Sequence, residues 1–124
     1  MQQQTDNFAK FGKSFQDSLC QLMLEDRPFC DQITEVLTID FLETKYLQVF
    51  VKTIMDYRTR YNVHPTYEIL ATIFKSGISE YDDGVQKQVR DYYARVIASD
   101  KVNDADYIKE TAIDFCRKQV LKQA

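Results

Sequence analysis

The sequence predicts an all-α protein, a compact bundle of about six helices, and three observations carry that prediction. Apolar residues recur at i, i+3, i+4 and i+7 through most of the 124 residues, the period of one helix face. The chain holds only three Gly and two Pro, which favours long uninterrupted elements. The one run that alternates like a strand, "LTIDF", is too short to need a sheet.

Residues 1–13 read as a flexible lead, rich in Gln at its start and carrying Phe8 and Phe11. From Ser14 a first helix places Phe15, Leu19, Leu22 and Met23 on one face, with Ser14 and Asp17 in a capping arrangement. "EDRPF" ends it and starts a second helix, where Asp26 is available as cap and Pro28 suits a first turn. Phe29, Ile33, Val36 and Leu37 form that helix's buried face. "LTIDF" then serves as a connector, with Leu37, Ile39 and Phe41 turned inward.

The strongest helix pattern runs from about Glu43 to Tyr61, with Leu47, Phe50, Val51, Ile54 and Tyr61 on one side. "YLQVFVKTI" is rich in β-branched residues, but the 3.6-residue period outlasts any strand. "NVHPT" breaks the helix. Thr66 caps a fourth, carrying Ile69, Leu70, Ile73 and Phe74 and closed by Gly77 in a left-handed C-cap. A fifth spans about Gly84 to Ser99, and a sixth starts near Ala105 with Asp104 as cap. "RKQVLKQA" contains neither Gly nor Pro, so the last helix reads as cut inside an element. The expected division is therefore a lead (1–13), a globular helical domain (14–104) and the start of a hairpin helix (105–124).

Composition narrows the function classes. At 44% hydrophobic residues, a chain this long can bury roughly 65% of its unfolded surface without staples. Sixteen basic and nineteen acidic residues give a net charge of −3, which argues against a dedicated nucleic-acid binder. Cys20, Cys30 and Cys116 lack C-x-x-C spacing and fall on apolar faces, so they read as reduced thiols of a cytoplasmic protein. No apolar run reaches membrane-spanning length.

Candidate chemistry is thin. "NFAKFGKS" ends in the Gly12-Lys13-Ser14 of a phosphate-binding loop, but Asn7 stands where that motif needs its first Gly. Two Phe occupy positions where backbone N–H groups would have to curl around a phosphate, so the motif reads as a decoy. His64, the only histidine, precedes Pro65 and reads as a loop residue held extended. The acidic pairs Asp82/Asp83 and Asp104/Asp106 sit at helix starts, where carboxylates stabilise free N–H groups. "DKVNDAD" lacks both the central Gly and the terminal Glu of a calcium loop. No catalytic, cofactor-binding or metal-binding set emerges. The last helix differs, because Ile108, Phe115, Val120 and Leu121 spread over more than one side, flanked by Arg117 and Lys118. These six form the expected interface.

The run "SFQDSLCQLMLEDRPFCDQITEVLTIDFLETKYLQVFVKTIMDYRTRYNVHPTYEIL", followed by "DYIKETAIDFCRKQVLKQA", resembles the N-terminal domain of DnaB-like replicative DNA helicases, phage-type members above all. The resemblance rests on ordered features: "LMLED" closing a first helix, the Asp40-Phe41 connector, Tyr57 and Tyr61 before Pro65, and Asp106-Tyr107 with Arg117 and Gln119 downstream. It covers about Ser14 to the end of the chain. Phe41-Leu42 departs from the Tyr-Phe or Phe-Tyr pair of many members. The resemblance implies a helical assembly domain whose hairpins pair between subunits of a hexamer, and which docks primase or a helicase loader. It also implies a motor that binds ATP and magnesium and moves on single-stranded DNA, lying beyond these residues. A stand-alone helical adaptor for a host or phage protein is the alternative.

Overall fold

The computed structural model describes residues 6–123, and residues 1–5 and Ala124 lie outside the description. Among the described residues every regular element is helical: α1 (Lys13–Glu25), α2 (Arg27–Ile33), α3 (Lys45–Tyr61), α4 (Tyr67–Ser76), α5 (Asp83–Ala98) and α6 (Ala105–Gln123). Short 3-10 turns stand at Phe8–Phe11 and Ile39–Phe41. The all-α fold is therefore as the periodicity predicts.

The chain divides into two compact units, one of residues 1–43 with 102–124, the other of Thr44–Lys101. This grouping differs from a globular 14–104 followed by a separate helix. Within the first unit α6 packs against both α1 and α2, and α1 also packs against α2 and the Phe8–Phe11 turn.

The first unit is built on a cluster of phenylalanines. Phe8, placed by sequence in a flexible lead, is completely buried. Its ring lies 4.9 Å from Phe115, 6.0 Å from Phe41 and 6.1 Å from Phe15, centroid to centroid. Two aromatic side chains in a short polar run carry no period, yet each offers enough apolar area to fix the segment. The turn has its own cap, since Asn7 Oδ1 accepts the Ala9 N–H at 2.8 Å.

Gln16 clasps this arrangement from inside. Its Nε2 donates to Glu43 Oε1 at 3.1 Å and Gly12 O at 3.3 Å, and its Oε1 accepts the Glu43 N–H at 2.8 Å. A buried carboxamide is tolerable because both ends are satisfied. Leu19, Cys20, Met23, Phe29, Cys30 and Ile33 complete the core.

The second unit packs α3 and α4 against α5. Its centre is aromatic too: Phe50 lies 4.9 Å from Tyr92 and 5.6 Å from Phe74, and Phe74 lies 5.2 Å from Tyr93. Tyr93 Oη donates to the Tyr67 carbonyl at 2.5 Å, and Arg90 donates to the Phe74 carbonyl at 3.1 Å near the end of α4.

Three expected caps form. Asp26, Thr66 and Asp82 accept the N–H groups of Phe29, Ile69 and Val85 at 3.1, 3.1 and 2.9 Å. Several helix ends differ, and α2 stops at Ile33, short of the Val36 and Leu37 expected on its buried face. Lys13 rather than Ser14 opens α1, because Gly12 turns the chain at φ 89° one residue earlier. Gly77 is not left-handed, with φ −107° and ψ 8°. Glycine fits there for space, since a Cβ would meet the Ile73 carbonyl oxygen at 2.9 Å. The left-handed residue that ends a helix is Asn62, at φ 58° after α3. Asp104 is itself left-handed, at φ 57°, rather than in the extended conformation of an N-cap.

Candidate interaction surface

The six interface residues expected from sequence lie on α6 but do not form one surface. Ile108 and Phe115 are buried within the first unit, Phe115 among the phenylalanines. Val120 and Leu121 are exposed, at 46% and 74% of their surface. Arg117 and Lys118 are exposed, and Lys118 pairs with Asp114 one turn back at 3.0 Å. Residue type alone cannot separate the apolar residues that complete a unit's core from those left over.

A different stripe of α6 lines open space. Asp106, Lys109, Glu110, Ile113, Asp114 and Arg117 follow one another at i, i+3, i+4, i+7, i+8 and i+11, a continuous row along the helix. Opposite them stand Asp26, Pro28, Phe29 and Gln32 from α2 and its cap. Two adjoining clefts of about 270 and 290 Å³ result, sharing Gln32, Glu110 and Ile113. The shared residues make them one groove.

At one end of this groove Lys109 Nζ lies 2.7 Å from Asp26 Oδ2 and 3.6 Å from Asp106 Oδ1. The Lys109 ammonium, together with the Phe29 N–H, holds the Asp26 carboxyl below its usual range, against the opposing effect of partial burial. Lys109 moves the other way, its pKa raised chiefly by the same hydrogen bond. By sequence Asp26 is only the cap of a second helix. The pair joins positions 83 residues apart.

The second unit has a cleft of about 210 Å³ between the later turns of α3 and the segment after α4. Ile73 and Ile78 line it, with Tyr57, Tyr61 and Tyr81 around them. The Tyr57 and Tyr61 rings stand 4.7 Å apart, and the Arg60 guanidinium lies 5.6 Å from the Tyr61 ring.

The remaining sequence candidates have local explanations. In "NFAKFGKS" the Gly12 N–H donates to the Ala9 carbonyl at 3.0 Å, and Lys13 Nζ lies 3.3 Å from Asp17. His64 Nδ1 lies 2.7 Å from Arg58 Nη1. Because arginine can only donate, that ring nitrogen is the acceptor. The cysteines are buried free thiols. Burial pushes Cys116 up to about 12 and Cys20 well above the usual thiol range. Among the described residues no group of three or more His, Cys, Asp or Glu could hold a metal ion. Nor is any described helix long and apolar enough to cross a membrane. No family model matches this chain, and no curated protein and no solved structure matches it.

Proposed function

We propose that the chain is a non-catalytic assembly and partner-docking domain of a DnaB-like hexameric replicative helicase. The observation that carries this reading is the ordered series from "LMLED" through Asp40-Phe41, Tyr57, Tyr61 and Pro65 to Asp106-Tyr107, set on an all-helical fold. The exposed end of α6, with Val120 and Leu121 beside Arg117 and Lys118, is the part offered to a neighbouring subunit. Primase or a helicase loader is the docked partner. ATP, magnesium and single-stranded DNA belong to a motor domain in the same parent protein, which works in the bacterial cytoplasm, that of the host where a phage encodes it.

Sequencing the gene past the codon for Ala124 tests this reading. It expects an open frame running into a second helical arm, then a strand followed by G-x-x-x-x-G-K-[ST]. A stop codon at that point would overturn it and favour the stand-alone adaptor. That second reading draws on the self-contained core of the first unit, which already uses Ile108 and Phe115.

A further inference from the structure

We propose that the groove between α2 and α6 is a docking surface for one short amphipathic helix of a partner protein. That helix is cationic where it meets Asp106 and Glu110, and it offers an apolar side chain to Ile113. The inference does not depend on membership of a helicase, because it uses only the groove's own shape and charge.

Length argues first. The lining row on α6 runs from Asp106 to Arg117, eleven helical steps or about 16 Å at the α-helical rise. A helix of about three turns lying alongside would span it, the arrangement by which amphipathic helices fill grooves. Apolar contact comes from the middle. Ile113 is half-buried and shared by both clefts, with Phe29 and Pro28 facing it in the first.

Charge selects the occupant. The groove is lined by four carboxylates, Asp26, Asp106, Glu110 and Asp114, against two cations, Lys109 and Arg117. Subtracting two from four leaves two negative charges, while the whole chain carries −3. The excess is not spread evenly. Lys109 alone serves Asp26 and Asp106, and Glu110 adds a third carboxylate at that end. At the other end Lys118 balances Asp114, and Arg117 supplies positive charge. A uniformly acidic helix is repelled at the first end, where one lysine stands against three carboxylates, and a wholly apolar one leaves that excess uncompensated.

The test is fluorescence anisotropy of the whole chain with a labelled peptide of Leu and Lys only. The peptide has about 14 residues patterned as an amphipathic helix, enough to cover the groove. The expected result is saturable binding that the Asp106→Lys, Glu110→Lys variant weakens about tenfold. Ile113→Ala, which leaves the charge unchanged, weakens it about threefold. A Glu68→Lys, Glu80→Lys variant changes the net charge equally on the second unit and leaves binding within about twofold of the parent. Circular dichroism melts of each variant establish that it is folded. Absence of saturable binding overturns the proposal. So does equal weakening in the two charge-reversed variants, which would mean only general attraction to an acidic protein.

Discussion

The carboxylate of Asp26 accepts the Phe29 N–H at 3.1 Å and the Lys109 ammonium at 2.7 Å, so one side chain both starts α2 and ties it to α6. Replacing it with Ala removes an N-cap and a partly buried pair, an expected loss of about 1–2 kcal/mol in urea unfolding. The pH dependence follows from the depressed pKa. An unfolded Asp titrates at about 3.9, so the contribution of Asp26 is complete above about pH 5 and fades as pH falls through the lower folded value. Asp26→Asn should flatten the acid limb of the stability profile relative to the parent. An unchanged limb would remove Asp26 from the acid response. Phe8 tests the opposite kind of residue, one with no charge and no sequence period. Truncation to Ala empties the centre of a phenylalanine cluster and should cost about 3–5 kcal/mol. A loss below about 1 kcal/mol would mean that the segment contributes little.

Helix α6 sorts its apolar residues between two fates, and stability measurements can read them apart. Phe115 meets Phe8 at 4.9 Å and Phe41 at 5.5 Å, so Phe115→Ala should destabilise the chain by about 3–5 kcal/mol. Leu121 is 74% exposed, so Leu121→Ser should stay within about 0.5 kcal/mol while remaining available to report on self-association by sedimentation. Equal losses at the two positions would contradict this division. The same contrast explains what was legible in the sequence. The element order, the caps at Asp26, Thr66 and Asp82 and the burial of Leu47, Phe50, Val51 and Ile54 on α3 follow from local periodicity and short-range hydrogen bonding, whereas Tyr61, expected on the same side, is exposed. The burial of Phe8, the Gln16–Glu43 clasp and the Lys109–Asp26 pair are contacts between distant positions. No spacing rule encodes them. The groove is hidden in the sequence for the same reason, because its α6 row is mostly charged and reads as a solvated face until α2 is set beside it.

The chain's two units differ in how they are threaded. The first is discontinuous, drawing α6 back to the N-terminal helices, so it can close only after the intervening residues have been made. The second, Thr44–Lys101, is a single continuous stretch with its own aromatic centre at Phe50, Phe74, Tyr92 and Tyr93. Its helix ends are also satisfied internally: Asn62 closes α3, Thr66 and Asp82 cap α4 and α5, and Arg90 reaches the Phe74 carbonyl. A unit of about 60 residues buries only about 60% of its unfolded surface, so its stability is small even when its core is complete. Residues 44–101 expressed alone should therefore give a helical circular dichroism spectrum and a cooperative melt, at a midpoint below that of the whole chain. The opposing fragment, residues 1–43 without α6, lacks Ile108, Ala112, Phe115 and Cys116 and should show little helix. A featureless, non-cooperative melt from 44–101 would mean that the second unit is held by the first rather than by its own packing.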